Sequence, residues 1–407
     1  SYYGRKHFLI EGTAIADSLK ESPYDRLPIS SKEKVREPVW DLSKASAGIT
    51  VRFHSNSTSI GLKWTVLNDF DMPHMASTGI KGIDLYTKYN NKWRYVTTAG
   101  ALVGLKTSQN KSIPSDSINE YELIKNMTPE FREYKLFLPL YDGVTKLEIG
   151  IDNNASIKKA TPNPLKPIVF YGTSITQGGC ASRPGMAHTN IISRKLDVSC
   201  INYGFSGNGR MEMPIVELIS DIDASFYVIE CLQNMDSEQV SERVRPLVDI
   251  IRTKHPLTPI VLVENMMYTT AFLDQTIETT LIQENEALKN EFDKIIKRGI
   301  PNIFYIKDNQ ELLLEVLKRS EGRSVLVRNA QGIVEMLQLE LQVQDDASAL
   351  TRHPIQGLPD TSTLNEVYAI LSKYRRGEVY IYQQESDNIV GVINWGSLQR
   401  EIRSGQV

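Results

Sequence analysis

The sequence predicts a multidomain chain of three parts. A β-sandwich of jelly-roll type is expected over residues 1–155. A three-layer α/β core with a parallel sheet should follow over 167–310, and a small α/β unit over 311–407. Three observations carry this reading. Apolar residues alternate in the first part, run continuously between helical stretches in the second, and fall into hairpin-and-helix patterns in the third. A length of 407 residues also exceeds one ordinary domain.

In the first part the alternation runs Ile49, Val51, Phe53; Ile60, Leu62, Trp64; Ile83, Leu85; Trp93, Tyr95; Tyr134, Leu136, Leu138; and Leu147, Ile149, Ile151. Period-two patterning gives a strand one buried and one solvated face, the habit of antiparallel sheets. Asn90-Asn91 sits between two such runs and reads as a hairpin turn, because Asn tolerates positive φ. Trp64 and Trp93 alternate with strand partners and are expected in the core. Residues 153–167 are polar with three prolines and read as a linker.

Beyond it, continuous apolar runs occur at Ile168–Tyr171, Val198–Tyr203, Phe226–Leu232, Ile260–Val263 and Ile303–Ile306. Helical stretches at Glu238–Thr253 and Phe272–Arg298 lie between them. Strands buried on both faces and alternating with helices make a covered parallel sheet, whose ligands sit at the strands' carboxyl ends. After about residue 310 the pattern changes again. Helices are expected at Glu311–Arg319, Thr363–Arg375 and Ser397–Arg403, with hairpins about Asn329–Gly332 and Ser386–Asn388.

Composition narrows the function. With 41% hydrophobic and 23% charged residues the chain is globular. Lys plus Arg (46) nearly balances Asp plus Glu (49), for a net charge of −3, which argues against a nucleic-acid footprint. No run approaches the roughly 18 apolar residues a membrane-spanning helix needs. The start, SYYGRK, carries no apolar signal region, so the chain reads as cytosolic or as a secreted protein with its leader removed. The 3 cysteines (Cys180, Cys200, Cys231) form neither a disulfide framework nor a Cys-x-x-Cys pair, and the 6 histidines lack ligand spacing. No metal and no cofactor are expected.

Candidate chemistry lies just after three consecutive strands. The first runs into Tyr171-Gly172-Thr173-Ser174, which leaves a serine at the sheet's open edge before a helix, where amides favour developing negative charge. Read alone, Ser174 is as well explained as a helix cap. The second runs into Gly204-Phe205-Ser206-Gly207-Asn208-Gly209, where glycines let backbone amides approach a ligand; an ordinary tight turn fits equally. The third ends Glu230-Cys231-Leu232-Gln233-Asn234, and the Asn234 amide could donate to an oxyanion or cap the next helix. His74 could line the cleft; His188 reads as a helix residue.

Together these blocks resemble the SGNH (GDSL-like) serine hydrolases, whose motifs run Gly-Asp-Ser, then a glycine, then an asparagine. The resemblance makes Ser174 the nucleophile, with Gly207 and Asn234 in the oxyanion hole. Thr173 stands where the family usually has Asp. Through VREPVWDLSKASAGITVRF, MPHMASTGIKGIDLY and GTSITQGG, the chain resembles a branch with an N-terminal β-sandwich, similar to secreted carbohydrate esterases. An acylated carbohydrate or other ester substrate, and a secreted or periplasmic setting, are implied. The family's Asp-x-x-His is not found after Ile306, where Lys307-Asp308-Asn309-Gln310 follows. His353-Pro354 with Gly357 mimics its His-Pro-x-x-x-Gly, but Leu350 holds the Asp position. The general base is therefore unassigned, with His353 as the candidate. A nonenzymatic glycan-binding or ligand-sensing protein on a hydrolase scaffold is the alternative.

The tail, through LTRHPIQGLPDTSTLNEVYAIL and EVYIYQQESDNIVGVINWGSLQREI, resembles a CBS module, which implies a possible adenine nucleotide partner. Asn394 and Ser397 stand where such modules usually hold the ribose with Ser or Thr and Asp.

Overall fold

In a computed structural model, residues 1–69, 71–102, 113–114 and 116–307 are described in full, and beyond them the backbone of strands alone. The first segment comprises β1 (Tyr2–Tyr3), β2 (Leu9–Glu11), α1 (Glu37–Ser43), β3 (Thr50–Ser55), β4 (Ile60–Val66), α2 (Ser77–Lys81), β5 (Ile83–Tyr89), β6 (Lys92–Ala99), β7 (Asn119–Ile124), β8 (Arg132–Phe137), β9 (Val144–Ile151) and β10 (Ile157–Lys159). These strands form two sheets, β1-β9-β4-β7 and β10-β3-β8-β5-β6, with β2 beside β3. The expected alternation is clearest in β4, where every second residue is buried. Phe53, Leu62, Trp64, Leu85, Tyr134 and Ile149 meet in one core between the sheets. Asn90 and Asn91 take φ of 50° and 58° and close the β5–β6 hairpin, in which Tyr89 pairs with Lys92.

The second segment runs β11 (Ile168–Gly172), α3 (Ser174–Gln177), α4 (His188–Leu196), β12 (Cys200–Gly204), α5 (Met213–Ser220), β13 (Phe226–Glu230), α6 (Ser237–Lys254), β14 (Ile260–Val263), α7 (Gln275–Lys297) and β15 (Ile303–Ile306). All five strands are parallel, in the order β12-β11-β13-β14-β15. Val169, Tyr171, Ile229 and Leu262 face one way and pack with Ile215, Val248 and Leu288 from α5, α6 and α7. On the other face Phe170 meets the His188 ring of α4 edge-on, centroids 5.7 Å apart. Strand order reverses at β11, with β12 on one side and β13 on the other. Ligands in such sheets bind at that switch point.

The two segments are joined more closely than a linker reading implies. Within 153–167, β10 pairs antiparallel with β3, as an edge strand that the polar composition disguised. Leu27, Val39 and Trp40 are buried in the core of the parallel sheet, although they precede most of the sandwich. Arg26, 2% exposed, donates to the carbonyls of Leu42, Ala45, Asn202 and Gly204 and lies over the Phe205 ring. Trp93 is buried, and its Nε1 donates to Asp197 across the same junction.

The chain divides into two compact units, Ser1–Asp308 and Asn309–Val407. In the second, β16 (Ser324–Arg328), β17 (Val334–Leu339) and β18 (Leu350–Pro354) form one antiparallel sheet. β19 (Gln356–Pro359), β20 (Glu378–Tyr382) and β21 (Ile389–Asn394) form another, with β19 parallel to β20. The β16–β17 and β20–β21 pairings match the two expected hairpins. β18, which carries His353 opposite Met336, was not foreseen. The expected tail helices and Ser397 lie outside the described residues. Among the described residues no helix is long and apolar enough to cross a membrane.

Candidate active site

Ser174 is the first residue of α3, directly beyond β11. Its predecessor Thr173 is the N-cap, with an extended backbone and a side chain that accepts from the Ile175 amide at 3.3 Å. The helix stops after four residues at Gly178, whose φ of 109° only glycine adopts without strain. The amides of Gly178 and Gly179 both return to the Ser174 carbonyl, at 3.0 and 2.7 Å. The nucleophile candidate is thus held in a closed turn and is half-buried.

Sequence reasoning missed what lies beneath that turn. Glu230, the last residue of β13, is 8% exposed and accepts from Thr176 Oγ1 at 2.6 Å and from Thr173 Oγ1 at 3.1 Å. Its carboxyl therefore braces the residues on both sides of Ser174. Burial pushes Glu230 up to about 7, against the opposing pull of the two threonine hydroxyls. A lone acid inside the apolar run Val228–Leu232 was the available signal.

The loop after β12 meets this turn directly. The Phe205 amide donates to the Gly172 carbonyl at 2.9 Å, and a side chain at Gly209 would collide with that same carbonyl. Gly207 has φ of 69°, is exposed, and has open space where a side chain would be. Gln177, fully buried, donates to the Leu140 carbonyl from the sandwich and accepts from the Ser206 amide. Arg36 grips the other side of the loop through Asn208 Oδ1 and Glu212, both at 2.7 Å.

Asn234 ends the short turn after β13. Its Oδ1 accepts from the Gly209 amide at 3.1 Å, which fixes the orientation of the side-chain amide. Among the described residues, Asn234 Nδ2 and the Gly207 N–H then remain as donors without a partner. The structure thus brings Ser174, Gly207 and Asn234 to one edge, on loops that touch.

The sandwich contributes to the rim. Tyr141 Oη donates to the Ser174 carbonyl at 3.4 Å, and Tyr141 packs with Met72, Met75 and Ala181. Asp84, fully buried, accepts from Arg183 at 2.5 Å and from the Gly185 amide at 2.8 Å, fixing the loop after α3 to β5. His74 is exposed on the loop between Met72 and Met75. Among the described residues no imidazole hydrogen-bonds the Ser174 hydroxyl. His188 faces Phe170, and His255 sits at the Ser220 carbonyl. His353 is placed on β18 of the second unit by its backbone alone.

Fold and motif order together define an SGNH-type α/β hydrolase with an N-terminal sandwich. Comparison with known proteins agrees. A model of the GDSL-like lipase/acylhydrolase family matches residues 165–322, and one described as the N-terminus of SGNH-hydrolase-type esterases matches residues 1–157. A Bacteroides ovatus protein described as a GDSL-like lipase is 32% identical, with a TM-score of 0.68, covering 76% of this chain and 87% of that one. A salicylyl-acyltransferase from a tetracycline biosynthetic pathway shares the fold at 15% identity and a TM-score of 0.61, covering 76% and 85% of the two chains. Among curated proteins nothing matches. The chain belongs to the GDSL-like lipase/acylhydrolase family of esterases.

Proposed function

We propose that the chain is a serine ester hydrolase acting on acylated carbohydrate, with residues 167–310 as its catalytic segment and 1–155 as the wall beside it. Ser174 attacks the acyl carbonyl. The amides of Ser174 and Gly207 and the side chain of Asn234 hold the oxyanion, each donor being worth roughly 2.7–4 kcal/mol in comparable enzymes. The observation that carries this reading is the fixed Asn234 amide. With Oδ1 held by Gly209, the group left for a ligand is a donor, as a developing oxyanion requires. The substrate class rests on the resemblance of VREPVWDLSKASAGITVRF, MPHMASTGIKGIDLY and GTSITQGG to a branch similar to carbohydrate esterases.

Attack by a neutral hydroxyl needs a base to take its proton. Among the described residues no imidazole hydrogen-bonds Ser174, and the family's Asp-x-x-His block is not found after Ile306. This chain is therefore expected to react with activated electrophiles and to turn over sugar acetates slowly. A fluorophosphonate probe tests the reading: it should label the native chain and leave Ser174→Ala unlabelled. Absence of labelling in the native chain would sink the hydrolase reading and favour a nonenzymatic glycan-binding protein. His353→Ala tests the remaining base. Loss of labelling there would bring that imidazole to the site.

A further inference from the structure

Beside the nucleophile turn, past the ends of β13 and β14, lies a cavity of about 240 Å³. Gln233, Asn265, Tyr268, Thr280, Leu281 and Glu284 line it. Gln233 joins it to the site: its neighbour in sequence is Asn234, and its Oε1 lies 3.5 Å from Thr173 Oγ1. Asn265 is 1% exposed, and its Nδ2 donates to Glu284 Oε2 at 2.6 Å. Among the described residues its Oδ1 is buried with no hydrogen-bond partner, an arrangement native proteins rarely tolerate without a further donor.

The remaining polar groups extend that demand. Thr280 Oγ1 gives its proton back to the Thr276 carbonyl, so it offers the cavity lone pairs alone. Glu284 adds a carboxyl that is 6% exposed. The Gln233 amide and the Tyr268 and Thr276 hydroxyls add groups that can donate, so the wall mixes acceptors with donors, and Leu281 supplies an apolar surface. Among the described residues no cation lines the space, which disfavours an anionic ligand. An acyl chain would bury Asn265 Oδ1 still unpaired. A neutral ring with several hydroxyls satisfies both sides: its O–H groups donate, and its C–H face covers Leu281. The volume falls below the roughly 300 Å³ at which drug-sized sites begin, which suits a ligand the size of one ring.

We propose that this cavity is the subsite for the sugar ring that carries the ester, read through Asn265, Thr280 and Glu284. Its place in catalysis rests on the hydrolase reading above; its binding chemistry does not. Titration of methyl β-D-xylopyranoside into the full Ser174→Ala chain, followed by saturation-transfer NMR, tests it. Saturable binding is expected, weakened roughly tenfold by Asn265→Leu and by Thr280→Val, because each removes an acceptor the hydroxyls need. Thr280 is exposed, so its variant decides the matter if Asn265→Leu does not fold. No binding to the parent, or equal binding by both folded variants, overturns the subsite. Fluorophosphonate labelling of the native chain is read separately. Labelling without sugar binding leaves the hydrolase and removes the subsite; sugar binding without labelling keeps the subsite and removes the hydrolase.

Discussion

The loops that leave β11, β12 and β13 differ sharply from the loop that leaves β14, although all open on the same edge. The first two are braced by Glu230, Gln177 and Arg36, and the third is tied to the second through the Gly209 amide and Asn234 Oδ1. The fourth, between β14 and α7, exposes Met266, Met267, Tyr268, Phe272 and Leu273, the last two to 80% and 77%. Groups that stabilise a transition state gain from being held before the substrate arrives. Side chains that meet the variable part of a substrate need no such fixing. Under the function proposed above, the contrast would separate chemistry from selection, and it can be broken from either side.

The largest effect is expected at the nucleophile, where Ser174→Ala should abolish fluorophosphonate labelling altogether, read by intact-protein mass spectrometry. Next is Asn234→Ala, which should lower the labelling rate or p-nitrophenyl acetate turnover by about 10²–10³ while the melting temperature barely moves. An unchanged rate would show that Nδ2 is not an oxyanion donor. Smaller is the effect of Glu230. Its carboxyl lies above its ordinary 4.5 in the folded state, at about 7. Its contribution to stability is therefore complete below 4.5 and is lost as pH rises through 7, on the order of 3 kcal/mol in all. Glu230→Gln should flatten that slope in melting profiles between pH 4.5 and 8. Subtracting the parent profile isolates Glu230 from Asp142, which burial lifts to about 6. A parallel profile would mean that Glu230 ionises in the fold as freely as in water. The smallest effect belongs to the exposed loop: Phe272→Ser should change stability by no more than about 0.5 kcal/mol.

The same contrast explains what was legible in the sequence. Ser174, Gly207 and Asn234 each follow a buried strand at short range, so their place at the sheet edge was readable locally, while the roles proposed for them came from the family resemblance. Both helices between the later strands were also visible, because α6 and α7 carry long apolar periodicity and begin at Asp236 and Asp274 caps. Glu230 stood out as one acid in an apolar strand, but its role depends on Thr173 and Thr176, which reach it only once β11 and β13 are paired. Asn265 and Glu284 are 19 residues apart and meet only when α7 lies against β14. β10 was read as linker because its short edge strand is framed by prolines and asparagines. Arg26 looked like an ordinary loop cation, since its acceptors come from Leu42, Ala45, Asn202 and Gly204, two of them far along the chain.

That last feature has a consequence for synthesis. Arg26 and Arg36 are made early, yet their partners at Asn202, Gly204, Asn208 and Glu212 follow some 172 to 178 residues later. At about 5–20 residues per second, a ribosome leaves this interval open for on the order of ten seconds or more. During that time Leu27, Val39 and Trp40 have no parallel sheet to cover them. The nascent sandwich is thus a waiting intermediate with a sticky flank, and slowing elongation between residues 40 and 200 should raise chaperone capture of this chain.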